Sequence, residues 1–225
     1  MTIDHGHFGL ESQVETEWKT KRTDRFILKW IKVNFASRIT QKLIDHKWLR
    51  PWMITVTSMF TGIGAGILFS ANLGFLAGIV ACLSQVLDGV DGQFARLTGR
   101  ATNFGGFLDS VLDRYSDGCL VIGLTIYNLH NNSDWGTGVL IALGSLALIG
   151  SGLISYSSSR AENLGIFFGK PTLASKGTRT TVVAVAGLLS PISSLIPLIA
   201  LVYLVIHTNI VVWFRIYKAS FNACD

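Results

Sequence analysis

Charge is scarce in this chain. Of its 225 residues only 15% are Asp, Glu, Lys or Arg, and the mean hydropathy is +0.45. Soluble domains carry about a quarter charged residues, so an ordinary soluble protein is excluded. Cysteine is scarcer still. Cys82, Cys119 and Cys224 stand alone, with no C-x-x-C spacing, which argues against a disulfide framework or thiolate metal site and leaves each as a small apolar filler. Internal repeats and low-complexity tracts are absent. No secretory leader is expected, because the chain opens with mostly polar residues through Arg22 and the first apolar run comes too late for a cleavable signal.

What is present is apolar. Long runs recur from Trp52 onward and read as about six spans of roughly 20 residues, the length that crosses the hydrocarbon core. They cover residues 52–70, 73–95, 105–129, 137–159, 179–194 and 196–214. The division between the last two rests on Pro191 and Pro197. The 23 glycines suit close helix packing in lipid.

The basic residues give an orientation. With a cytoplasmic N-terminus, the outside connections Ala71–Asn72, His130–Gly136 and Ser190–Leu195 contain no Lys or Arg. Ten basic residues lie between Lys19 and Arg50, and Arg96, Arg100, Arg160, Lys170, Lys176, Arg179, Arg215 and Lys218 all fall inside. Arg114 alone sits just within the third span, beside Asp113. The loop bias accounts for the net charge of +5, so no nucleic-acid partner is expected.

Ahead of the spans, Arg25 to Trp48 reads as an interfacial amphipathic helix. Phe26, Ile27, Trp30, Ile31, Phe35, Ile39, Leu43 and Ile44 recur at helical spacing, and Lys29, Lys32, Arg38 and Lys42 carry the polar face. Such a helix lies along an anionic leaflet, packs on the protein's own cytoplasmic face, or does both. The expected organisation is an all-α integral membrane protein: a polar tail (1–22), the interfacial helix (23–50), a six-span domain (51–218) and a cytoplasmic C-terminal tail (219–225).

Within this apolar background four aspartates stand out. Asp88 and Asp91, spaced i, i+3, end the second span, while Asp109 and Asp113, spaced i, i+4, begin the third. Each pair shares a helix face, and the connection around residues 97–104 returns the chain to the same side of the membrane. An ionisable group at membrane depth is costly unless it is paired, hydrated or bound to a cation. Oxygen-only ligands suit Mg²⁺, Mn²⁺ or Ca²⁺ rather than zinc. Such a site grips the oxygens of a diphosphate and neutralises a departing phosphate. Gly89 and Gly92 leave backbone open for close approach, Ala95 keeps the same face low, and Arg96 is placed to pair with a phosphate oxygen.

These residues compose a pattern, Asp88-x2-Asp91-Gly92-x2-Ala95-Arg96-x8-Gly105-x3-Asp109-x3-Asp113. It resembles, without a departure, the signature of the CDP-alcohol phosphotransferases, eight fixed positions over 26 residues. The resemblance implies a transferase of phospholipid biosynthesis, of the class that moves substituted phosphate groups, in which an acceptor hydroxyl displaces CMP from a CDP-linked donor. It also implies that Asp88, Asp91, Asp109 and Asp113 hold one or two Mg²⁺ or Mn²⁺ ions, and that Asp113 is in addition the general base. Gly92, Ala95, Arg96 and Gly105 would line the CDP site, and the protein would be a homodimer. Assigning the base to Asp113 rather than Asp109 rests on the resemblance alone.

The acceptor is read from the inside loops. Arg160, Lys176 and Arg179 lie on the side of the cluster and either bind the phosphate of a phosphorylated acceptor or are positive-inside charges. The segment Asn34-Phe-Ala-Ser37-Arg38-Ile-Thr40 ahead of Pro51 looks similar to members that handle inositol phosphate; most members carry an Asn soon after that proline, where this chain has Trp52 and Met53. The expected reaction therefore joins a CDP-lipid to a phosphorylated polyol, inositol phosphate ahead of glycerol phosphate, with a soluble donor such as CDP-inositol as the alternative. A cation carrier is disfavoured because the aspartates sit near one face, with no polar relay through the outer half of the spans. A prenyl-diphosphate transferase gives no reason for the Gly92-x2-Ala95-Arg96 element.

Overall fold

A computed structural model describes residues 30–46, 48–166 and 176–222. The polar tail, the first part of the expected interfacial helix, Lys170 and Cys224 lie outside the described residues. Helices follow one another and no strand occurs among the described residues. A short helix α1 (Ser37–Leu43), preceded by a π-helical turn at Lys32–Ala36, leads into α2 (Pro51–Ser70), α3 (Gly74–Leu97) and α4 (Asn103–Asn131). Then come α5 (Thr137–Asn163), α6 (Lys176–Leu189) and α7 (Leu195–Asn222). The last helix runs to Asn222, so residues 219–222 continue it rather than forming a separate tail.

Local chemistry sets the boundaries. Pro51 opens α2 at its first turn, where its missing N–H costs nothing, after Arg50 in extended backbone. Asn72, with φ of 63°, makes the tight reversal into α3. The long apolar stretch near the C-terminus breaks at Ser190–Ser194, around Pro191, and α7 starts two residues before Pro197. A proline inside the first turn of a helix is tolerated.

Four helices, α2, α3, α5 and α7, are long and apolar enough to cross a membrane by length and composition. The other two helices expected to span differ for physical reasons. Helix α4 carries Asp109, Asp113, Arg114 and Asp117 in its first half, and α6 has 14 residues, about 21 Å at 1.5 Å per residue. The result is an all-helical membrane protein fold.

Small residues bring the helices together. α2 and α4 cross at Gly66 and Gly123, where a Cβ on Gly123 would overlap the Gly66 carbonyl and one on Gly66 would overlap the Cys119 carbonyl. Gly78 of α3 meets Gly187 of α6 in the same way. Around these crossings Phe69, Leu120, Leu124, Tyr127, Leu201 and Leu204 fill the core. At one end of the bundle the turns are tied by amides: Asn131 donates to Asn72 Oδ1, and Asn132 donates to Ser194 O at 2.9 Å. The three connections without Lys or Arg meet there.

At the other end, the N-terminal helix docks on α3. Ala36 packs with Val90 and Phe94, supported by Ile39 and Leu43, and the buried Thr40 hydroxyl donates to Gln93 Oε1 at 2.9 Å. Trp30 and Phe35, expected on the same apolar stripe, point outward and make an edge contact with one another. The π turn explains the split, because it inserts extra length into the helical register.

The α2–α4 crossing yields a direct test. Gly123→Ala should destabilise the detergent-solubilised protein by about 1–3 kcal/mol, the usual cost of overpacking. Gly64→Ala, where a Cβ would meet nothing within 4 Å, should melt at or slightly above the parent. Equal melting of the two variants would refute the backbone-contact account.

Candidate active site

The site is assembled where α3 ends and α4 begins. The link is short, Thr98 to Thr102, and it is held at three points. Gly99 takes a left-handed φ of 64°, Arg100 Nη1 donates to Leu49 O at 3.0 Å, and the Thr102 hydroxyl accepts from Gly105 N at 3.0 Å, capping α4. A short, capped link fixes the rotation of α4 relative to α3, and that rotation decides where the aspartates meet.

Three of them do meet. Asp88 from α3 and Asp109 and Asp113 from α4 each place a carboxylate oxygen within 4.8 Å of the other two, all half-buried. Oxygens bound to one Mg²⁺ or Ca²⁺ at about 2.0–2.6 Å are separated by up to about 5 Å across the ion, so the spacing fits a divalent cation. Asp91, the fourth expected ligand, is 6% exposed, and its Oδ2 is buried with no hydrogen-bond partner. A buried carboxylate oxygen without a donor favours a cation nearby. The donor set is all oxygen, and the residues present fit a hard divalent metal.

Positive charge also comes from the protein. Lys176, the first residue of α6, places Nζ 2.6 Å from Asp88 Oδ1 and in contact with Asp113 Oδ1. One ammonium offsets one of four carboxylate charges. One turn on, Arg179 pairs with Asp117 at 2.5 Å, both of them buried. Arg160, near the end of α5, is exposed. The three cations expected at the acceptor are thus arranged differently: Lys176 enters the carboxylate cluster, Arg179 is held by Asp117, and Arg160 stands on the surface.

Beside the cluster opens a cavity of about 720 Å³. Asp91, Gly92, Ala95, Arg96, Gly105 and Asp109 line it, together with Arg50, Trp52, Thr55, Arg100 and Phe104. Helix packing does not explain its glycines. A Cβ on Gly92 would meet only the Arg96 guanidinium, at 3.3 Å, and one on Gly106 would meet nothing within 4 Å. The room they leave faces the cavity. An opening of this size, with three arginines on its wall and two carboxylates at its edge, suits a ligand that carries both phosphates and a metal.

Some of these residues escaped sequence reasoning. Asp117 continues the i, i+4 series of Asp109 and Asp113, and that spacing could have revealed it. The Arg50 and Trp52 wall comes from a different helix and had no local signal.

Comparison with known proteins places this geometry. The family model described as CDP-alcohol phosphatidyltransferase matches residues 48–220. An archaetidylinositol phosphate synthase of Pyrococcus horikoshii is 32% identical over 179 residues, 80% of this chain and 88% of that protein. A bifunctional IPC transferase and DIPP synthase of Thermococcus kodakarensis is 36% identical over 137 residues, 61% of this chain; the match spans 30% of that longer protein. In fold, the chain is similar to the crystal structure of Mycobacterium tuberculosis phosphatidylinositol phosphate synthase with CDP-DAG bound. The TM-score is 0.71 at 24% identity, covering 82% of this chain and 92% of that one. The same protein in complex with manganese and citrate gives a TM-score of 0.70 at 22% identity, covering 82% and 88%. Since the match runs through all the long helices, and all eight signature residues fall on the cavity or the carboxylate cluster, the chain belongs to the CDP-alcohol phosphatidyltransferase family of membrane-bound phosphotransferases.

Proposed function

We propose that this enzyme transfers the lipid phosphoryl group of a CDP-lipid to the hydroxyl of a phosphorylated polyol, with inositol phosphate ahead of glycerol phosphate, and releases CMP. The observation that carries this reading is the junction of the basic cavity with the carboxylate cluster. The cavity holds the nucleotide diphosphate, and its edge, at Asp91 and Asp109, is where the phosphorus is attacked. Relatives named archaetidylinositol phosphate synthase and phosphatidylinositol phosphate synthase support the acceptor. A soluble CDP-alcohol such as CDP-inositol remains the alternative donor.

In this reading α2 to α7 are six spans, the site and both termini are cytoplasmic, and the helix leading to Leu43 rests at the interface of the cytoplasmic leaflet. A homodimer is part of the proposal. The domain division is the one drawn from the sequence: a tail (1–22), interfacial helix (23–50), six-span domain (51–218) and C-terminal residues (219–225). Asp88, Asp91, Asp109 and Asp113 would hold one or two Mg²⁺ or Mn²⁺ ions. When bound, such ions polarise phosphorus and stabilise charge on the departing CMP.

The remaining steps belong to the chain. Gly92, Ala95 and Gly105 let the diphosphate come close to the backbone, and Arg96 pairs with its oxygens. Asp113 accepts the proton of the attacking hydroxyl; it lies in the cluster within reach of an acceptor entering from the α6 side. Arg160, Lys176 and Arg179 are assigned to the acceptor phosphate, with Lys176 adjacent to the base.

Activity should vanish in EDTA and return with Mg²⁺ or Mn²⁺, and Asp88→Asn, Asp91→Asn and Asp109→Asn should each weaken metal binding as well as rate. Turnover in metal-free buffer would reject the metal reading. Asp113→Asn should slow the chemical step by about 10²–10⁴-fold, the usual worth of a positioned base, with a smaller loss of CDP binding. An equal loss of both would make Asp113 chiefly a ligand.

The acceptor is tested by CMP release against inositol phosphate, glycerol phosphate, inositol and serine. Inositol phosphate should be the best, and Arg160→Gln should raise its KM while donor binding stays nearly constant. An uncharged alcohol as best substrate would overturn the phosphorylated-polyol reading.

A further inference from the structure

Lys176 has a role that acceptor binding alone does not explain. Its Nζ donates to Asp88 Oδ1 at 2.6 Å and to Asp113 Oδ1, joining α6 to both α3 and α4. Those two carboxylates are also two of the three whose oxygens converge within 4.8 Å. Two of the carboxylates that would bind a divalent cation are therefore the ones that already bind the ammonium. Two cations on the same pair of carboxylates repel at short range, and the divalent one brings the larger charge.

The surroundings allow the side chain to move while its helix stays in place. The start of α6 is pinned to α3, because Gln85 Nε2 donates to Gly177 O at 3.0 Å and lies 2.9 Å from Thr181 Oγ1. Arg179, the next cation on α6, is buried and held by Asp117. Lys176, by contrast, keeps about a fifth of its side chain exposed and carries its charge on a flexible four-carbon stem. Freed from the carboxylates, Nζ can swing toward the exposed edge without any shift of backbone.

We propose that Lys176 is an exchangeable counter-ion of the carboxylate cluster. It holds Asp88 and Asp113 together before a divalent ion binds, competes with that ion for their oxygens, and is expelled when the ion enters. The expelled ammonium is then presented beside the base, where an acceptor phosphate would meet it. The inference rests on reading the aspartate cluster as a metal site, and it makes Lys176 a positioning residue rather than a ligand of the donor.

The test uses the full-length protein in detergent with Mn²⁺ alone, without substrate. Free Mn²⁺ is followed by electron paramagnetic resonance during titration of the parent, Lys176→Met and Lys176→Arg. Removing the competing charge should tighten Mn²⁺ binding about tenfold, within the range that a hydrogen bond to a charged group supplies. Lys176→Arg keeps the charge and should bind much like the parent. Lys176→Met should melt below the parent in EDTA and recover most of the difference in saturating Mn²⁺.

A second measurement needs no variant. Acylation of Lys176 by an amine-reactive reagent, read by mass spectrometry against the exposed Lys42, should rise several-fold when Mg²⁺ saturates the parent. If Mn²⁺ binds the parent but Lys176→Met binds it no more tightly, or if Mg²⁺ leaves Lys176 labelling unchanged, the counter-ion proposal is overturned and the metal site stands. If no ion binds the parent or either variant, the metal reading itself fails and the proposal fails with it.

Discussion

Carboxylates crowded at the junction of two helices in a membrane protein repel one another, and they lose much of the water that would screen them. They stay together only where positive charge is supplied. In this protein the requirement shapes everything around α3 and α4. The short capped link sets the pairs face to face, α6 brings an ammonium to two of them, and a basic cavity lies alongside. A divalent ion between a carboxylate cluster and a diphosphate is the simplest way to satisfy both anions at once. The chemistry of phosphoryl transfer, which is mainly positioning and charge neutralisation, follows from the same need.

The bundle supplies a frame for that charge cluster. Glycine crossings at Gly66–Gly123 and Gly78–Gly187 let α2 pack on α4 and α3 on α6 with backbone in contact. Close packing of this kind takes the place of the hydrophobic drive that lipid does not provide. The polar contacts are arranged by level. The amides of Asn131 and Asn132 close one end, while Arg179–Asp117 sits deeper than Lys176 within the half that holds the site. Arg215 adds a further tie by donating at 2.8 Å to both Ser157 and Ser158, which binds α7 to α5.

Much of this was legible in the sequence because the informative residues are close together in it. All eight signature positions lie within one helix–turn–helix, where i, i+3 and i, i+4 spacing alone predicts shared faces. Helix boundaries were also readable where Pro51, Asn72 and the Ser190–Ser194 break punctuate apolar runs. What stayed hidden depends on tertiary contact. The pairing of Lys176 with Asp88 and Asp113 spans more than sixty residues, and a lysine in an inside loop looks the same whether it pairs with an aspartate or faces water. The π turn at Lys32–Ala36 was equally invisible, since nothing in the residue pattern distinguishes it from the α-helix that the apolar spacing implies.

The Gly66–Gly123 crossing has a mechanical side. It is the middle of a seam that runs along both helices, from Gly62 against Ser116, through Gly66 against Cys119 and Gly123, to the ring contact of Phe69 with Tyr127. Thr55, on the cavity wall, stands eleven residues up α2 from Gly66, roughly 16 Å along the axis at 1.5 Å per residue. A tilt of about 4° between the two helices would move the wall by about 1 Å over that lever arm, and the packed seam resists it. The width of the cavity is thereby held by the stiffness of a seam deep in the opposite half of the bundle.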